Sequence, residues 1–193
     1  MYYKIHVKTF IRVPPSSFGK DTRNIILSIL NEQFQNYVSE KLGIVIGVLD
    51  VHETGEGVII PGDGAAYHET KFTFLTFKPE VQEIVLGNVS EITDFGAFLD
   101  LGAIEGMIHV SQTMDDFVSF SKANVLTGKE SKKVLKVNDK CRARIIAVSF
   151  KDLANPKVGL TMRQPLLGAM PWIEQELKQN AKVIEEKVEG KKK

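Results

Sequence analysis

The sequence predicts two successive folds: an α+β domain with one helix on a small antiparallel sheet, then an all-β five-stranded barrel of the OB type. Three observations lead there. Residues 3–13 alternate apolar and polar with a period of two, as a half-buried strand does, and residues 21–42 change to a helical stripe. Lys78-Pro79-Glu80 then breaks the pattern. Beyond it come five short β-rich runs, with no long helical stripe until the C-terminal end.

In the first strand Tyr3, Ile5, Val7, Thr9, Ile11 and Val13 alternate with Lys4, His6, Lys8 and Arg12, and Phe10 is the large apolar residue out of phase. Pro14-Pro15 ends it. Ile26, Leu30, Phe34, Tyr37, Val38 and Leu42 form the helical stripe, with Gly43 expected as its left-handed cap. Residues 44–53 read as a strand, Gly55-Glu56-Gly57 as a turn, and Val58-Ile59-Ile60 as a short strand closed by Pro61-Gly62-Asp63-Gly64. Residues 66–77 complete a β-α-β-β-β order, with Phe72 and Phe74 on one face and Lys71, Thr73 and Leu75 on the other.

After the seam, the barrel strands are expected at 81–92, 97–101, 107–110, 140–150 and 157–162. Residues 114–136 are polar with scattered apolar positions and read as a loop with a short helical turn. Residues 172–188 have helical composition, and the Lys-rich end is expected to be disordered. The expected domains are therefore 1–79, 80–165 and a C-terminal extension, 166–193.

Composition narrows the function classes. The chain has 193 residues, a net charge of +1, 43% hydrophobic and 25% charged residues, the balance of a soluble globular protein of one or two domains. No apolar run is long enough for a bilayer and no signal-like segment precedes the first strand, so a cytoplasmic location is expected. One cysteine, Cys141, excludes an internal disulfide, and the histidines share no ligand spacing, so neither metal nor cofactor is expected. No carboxylate cluster or nucleophile–base pair marks an enzyme. Gly62-Asp63-Gly64 lacks the Lys-Ser/Thr and following helix of a phosphate loop.

Residues 87–111 carry the chemistry. Phe95 and Phe98 flank Gly96-Ala97, and His109 follows in the next apolar run. Aromatic rings on a small barrel stack unpaired bases of any sequence, which makes single-stranded RNA the leading ligand. Taken alone, the two rings fit a barrel core as well, and His109 fits a half-buried structural histidine. Between residues 140 and 163 stand six basic residues against one acidic residue, Asp152, a run also found on solvated faces. Lys140, Arg142 and Arg144 alternate with Cys141, Ala143 and Ile145, so one strand presents all three cations on one face. Beside the aromatics they form a candidate track for a phosphate backbone.

The spacing Gly87, Val89, Ile92, Phe95-Gly96-Ala97-Phe98, then Glu105-Gly106-Met107-Ile108-His109-Val110-Ser111, closely resembles the S1 domain, an RNA-binding OB fold. Segments 137–145 and 158–163 fit its later strands. Pro14-Pro15-Ser16-Ser17-Phe18-Gly19, the helix, Gly57 with Pro61-Gly62-Asp63-Gly64, Tyr67-His68, the S1 domain and Met162-Arg163-Gln164-Pro165 follow one another in a characteristic order. That order is similar to the E-prime family of archaeal RNA polymerase components, counterparts of the seventh polypeptide of eukaryotic polymerases, up to about residue 187.

This resemblance implies a truncated RNP-like first domain that docks on the polymerase core through the turn Pro61, Gly62, Asp63 and Gly64. It implies an S1-type barrel whose Phe95, Phe98, His109 and Lys157 face nascent single-stranded RNA. It also implies a small helical partner, the F subunit of RNA polymerase. The two chains would make a heterodimeric stalk near the RNA exit, active in transcription initiation. Catalysis in that family belongs to the two largest subunits. Ser149 departs from the pattern, since relatives often carry an acidic residue there. The alternative is a free-standing S1-type RNA-binding module of a translation or RNA-degradation complex, which leaves the first domain unexplained.

Overall fold

Strand β1 (Tyr2–Val13) keeps the alternation of its sequence: odd positions are half-buried or buried, and even positions, Phe10 included, face solvent. The computed structural model describes residues 1–121, 124–153 and 155–189. They divide into two compact units, Met1–Lys78 and Pro79–Lys193.

In the first unit, helix α1 (Thr22–Phe34) starts where the Asp21 carboxylate accepts the Arg23 N–H at 3.1 Å, satisfying a donor that the first turn leaves open. The helix lays Ile26 and Leu30, both fully buried, onto Val45, Val51, Phe72 and Phe74 of the sheet. Expected to reach residue 42, it stops at Phe34: Gln35 is extended and Asn36 takes a left-handed φ of 61°. Asparagine tolerates that conformation. The Asn36 N–H donates to the Val45 carbonyl and the Val45 N–H to the Tyr37 carbonyl, so sheet pairing captures residues that the helical spacing also fitted. They lead into β2 (Val38–Ser39). Gly43 is left-handed at φ 77°, but it opens strand β3 (Gly43–Ile59) instead of capping the helix, and a side chain there would strike the Phe77 carbonyl.

A second expectation is corrected along β3. Gly55-Glu56-Gly57 does not reverse the chain; β3 runs unbroken against β4 (Ala66–Phe77), and a register shift between Thr54 and Gly57 absorbs the extra residues as a bulge. Gly57 passes so close to the His68 ring that an added Cβ would lie 2.8 Å from it. The four strands order as β1-β4-β3-β2.

The second unit is the expected barrel. Its strands are β5 (Ile84–Ile92), β6 (Gly96–Asp100), β7 (Glu105–His109), then, after an intervening segment, β11 (Lys140–Ser149) and β12 (Lys157–Thr161). They order as β12-β7-β6-β5-β11, and β11 pairs with β12 to close the ring. Alternate residues point inward, so Val89, Ala97, Leu99, Ile108, Cys141, Ala143, Ile145 and Leu160 form one core.

Residues 114–136, expected as a loop, contain a small sheet instead: β8 (Val118–Ser121), β9 (Val125–Gly128) and β10 (Val134–Leu135). Leu126 and Leu135 reach from it into the barrel core. Asp116 ties its base, accepting the N–H groups of Phe117, Glu130 and Ser131 and the Ser131 hydroxyl. β13 (Gly168–Ala169) pairs with the start of β11 and leads into helix α2 (Met170–Glu189), which seats Trp172 and Ile173. The basic end, residues 190–193, lies outside the described residues. Among the described residues no helix is long and apolar enough to cross a membrane.

Candidate nucleic-acid interface

The tight pairing of β6 with β7 builds the site. Gly96 lies against the Ile108 carbonyl so closely that any side chain would collide, and the Val110 N–H donates to the Phe95 carbonyl at 2.8 Å. This holds Phe95 at the turn, 47% exposed, with its ring edge-on to that of Phe98 at 6.0 Å and 87°. Phe98 faces outward, opposite Met107 in the register, while its neighbours Ala97 and Leu99 fill the core. His109 is exposed. Its Nδ1 accepts the Ser111 N–H and meets the Ser111 hydroxyl at 2.9 Å, which leaves Nε2 directed to ligand or solvent.

A cavity of about 500 Å³ opens on this face. Phe98, Met107, His109, Ile146, Lys157 and Gly159 line it, with Glu105 and Gln112 adding polar groups. The volume and the mixture of flat apolar wall, imidazole and ammonium suit a stacked nucleotide with its phosphate at the lysine. Gln112 is fixed, its Oε1 accepting the Thr161 hydroxyl at 2.8 Å.

Of the residues singled out from sequence, Phe98, His109 and Lys157 meet in this cavity, and Phe95 packs on Phe98 beside it. Lys140, Arg142 and Arg144 do share one outward face of β11, alternating with buried Cys141, Ala143 and Ile145. They do not line the cavity. Their register partners on β5 are Asn88, Leu86 and Ile84, so the cations lie among exposed apolar side chains. Arg144 also donates to the Gln82 side chain at 3.4 Å, and its Nε is buried without a partner. A bulge between Ile145 and Ala147 separates this row from Ile146, the residue that β11 gives to the cavity.

In the sequence Glu105 and Met107 stand only as positions of the S1 pattern and not as site residues, although they alternate with His109 and so share its face. Ile146 carried no such signal, because the bulge that exposes it has no mark in the local pattern. A second cavity, about 460 Å³, lies near Phe117 and Met114, but Asp115, Asp116 and Glu130 line it and suit a phosphodiester poorly. Burial, and secondarily the charge of Asp139, pushes the Cys141 thiol up to about 12, which leaves it unreactive. Among the described residues no three His, Cys, Asp or Glu side chains cluster as a metal site. His6 and His52 instead bracket the Thr73 hydroxyl, at 2.9 and 2.6 Å.

The turn Pro61, Gly62, Asp63 and Gly64 joins β3 to β4, with left-handed φ of 97° at Gly62 and 71° at Gly64. The Arg12 guanidinium and then the Tyr67 hydroxyl hold the Asp63 carboxyl down at about 2. Beside it Val58, Ile59 and Ile60 are exposed.

Comparison with known proteins bears on both units. Residues 8–64 match the SHS2 domain found in the N terminus of Rpb7p/Rpc25p/MJ0397, and residues 78–151 match the S1 RNA binding domain. DNA-directed RNA polymerase subunit Rpo7 of Saccharolobus solfataricus is 40% identical over 177 residues, 91% of this chain and 98% of the relative. The Rpo7 subunit of Sulfolobus acidocaldarius is 36% identical over 94% of this chain and all of its own length. DNA-directed RNA polymerase III subunit RPC8 of Saccharomyces cerevisiae is 30% identical over 99% of this chain and 85% of its own.

Proposed function

This chain belongs to the Rpo7 family of noncatalytic DNA-directed RNA polymerase subunits, and from that premise we propose that it forms the polymerase stalk and holds exiting single-stranded RNA. Its partner in the stalk is the small helical F subunit. The observation that carries the RNA role is the cavity on the barrel, where Phe98, Met107 and His109 offer stacking surfaces and Lys157 a phosphate contact. Phe95 extends the stacking surface at its edge. Contacts of this kind are tolerant of sequence, as a passing transcript requires. Lys140, Arg142 and Arg144 add phosphate contacts outside the cavity, where the strand continues over the barrel. The tip around Pro61, Gly62, Asp63 and Gly64, with its exposed Val58, Ile59 and Ile60, docks on the polymerase core.

The test is a tagged pull-down from native cells, with every copurifying chain identified by mass spectrometry. A small helical polypeptide together with the large polymerase subunits is the expected result. Recovery of ribosomal or RNA-degrading assemblies without polymerase would overturn the stalk assignment.

A further inference from the structure

Building on the RNA-site reading above, we propose that Glu105 binds the ribose 2′-hydroxyl of the nucleotide in the cavity and so selects RNA over DNA. Glu105 begins β7 on the face that also carries Met107 and His109. The parallel register that pairs Val158 with Gly106 sets Lys157 beside Glu105, where the two strands begin. These opposite charges are not bonded to each other. Among the described residues neither side chain makes an ion pair or hydrogen bond, although both line the cavity. Asp100, across from Glu105 on β6, has its own partner in the Gly102 N–H at 2.8 Å.

An open ammonium and an open carboxylate thus stand side by side against the Phe98–Met107 wall. Lys157 meets a phosphate. A carboxylate this near a sugar–phosphate chain repels it unless the chain itself supplies a donor. Within a single strand the backbone has one donor, the 2′-hydroxyl, and DNA has none. Base donors differ from one nucleotide to the next and would conflict with a sequence-tolerant stacking wall. The same acid-to-ribose bond serves dinucleotide-binding folds. Selection comes from both sides: the carboxylate gains a hydrogen bond from RNA and repels a deoxy strand. Near a polymerase, where both polymers are at hand, this keeps the site for transcript.

The test is fluorescence anisotropy on the full chain with labelled oligo(rU) and oligo(dU) of ten nucleotides, which share base and charge. Wild type should prefer oligo(rU) by about tenfold, the scale of one charge-assisted hydrogen bond at a wet site. E105A should bring the two within about twofold, chiefly by improving oligo(dU). E105Q, which keeps an acceptor without the charge, should retain part of the preference. A wild-type ratio near one, or a ratio unchanged in E105A, overturns the assignment. F98A separates the two levels: loss of both oligonucleotides there, with no change of ratio in E105A, sinks Glu105 alone. Oligo(rU) binding untouched by F98A removes the site itself, and Glu105 with it.

Discussion

Arg12 grips Asp63 with two hydrogen bonds, Nε at 3.0 Å and Nη2 at 2.6 Å, and so ties the β3–β4 turn to the end of β1. Tyr67 donates to the same carboxylate from the start of β4. Two segments, the end of β1 and the start of β4, therefore fix a turn that two left-handed glycines would otherwise leave supple. R12A should raise amide exchange across residues 60–65 and weaken assembly with the polymerase core, while the α1 amides stay protected. Hydrogen exchange by mass spectrometry, paired with a core-binding competition, checks both halves.

The same clamp has a pH signature. Asp63 titrates near 2 in the folded chain, below the roughly 3.9 of an unfolded aspartate. A depressed carboxyl contributes stability that is present above about pH 4 and lost as pH falls toward 2. Order in the turn should hold from neutrality to about pH 4 and fade below it. An NMR titration of the Asp63 carboxyl carbon with a midpoint near 4 would show that the clamp is not formed in solution.

Truncating Phe98 to alanine should weaken single-stranded RNA binding by about 1–3 kcal/mol, the value of one stacked base. K157A should lower the slope of log affinity against log salt by about 0.7, one phosphate contact on a single strand. R142A is the informative comparison, because Arg142 lies outside the cavity. A comparable fall in slope there would extend the RNA path onto β11, and an unchanged slope would confine it to the cavity.

Asp116 should govern the small β8–β9–β10 sheet. Its carboxyl is held below the usual range by bonds from Ser131, Glu130 and Phe117, backbone donors chief among them. D116A leaves those N–H groups without their acceptor. Protection across 118–121 and 125–135 should drop while β5 and β11 keep theirs, a contrast that residue-resolved hydrogen exchange reads directly.

Leu30 is fully buried between helix and sheet. Leu30→Ala should cost the first unit about 2–5 kcal/mol, through lost burial and the cavity left behind. Chemical denaturation followed by near-ultraviolet signals of the Phe34, Phe72 and Phe74 cluster should show a lower midpoint.

The barrel was legible because short β-rich runs follow one another after Pro79 and because Phe95, Phe98 and His109 keep their motif spacing on its strands, even though bulges interrupt the period of two in β5 and β11. The helix end was not, because Tyr37 and Val38 satisfy a helical stripe and a strand equally; the choice falls to Ile44 and Val45 farther along the chain, Val45 bonding Tyr37 and Ile44 pairing with Val38. Gly55 and Gly57 look like a turn locally, yet pairing with β4 makes them a bulge. The small sheet inside 114–136 escaped because its strands are two to four residues long, too short for any period to register. Lys140, Arg142 and Arg144 were correctly placed on one face. What spacing within a single strand could not say is which neighbouring strand that face would share.

The bulge between Ile145 and Ala147 changes the meaning of odd and even along β11. Before it, odd-numbered residues point into the core; after it, Val148 is the one that packs there. One strand thus runs in two reading phases, cationic toward β5 and apolar toward the cavity. Deleting Ile146 would merge them into a single phase in regular register with β12, Ala147 staying outward and Val148 inward, and would remove the one side chain that β11 gives to the cavity. The barrel would keep its strands and its core while the cavity lost part of its apolar wall, so a one-residue deletion here would be felt as a change of surface before it was felt as a loss of fold.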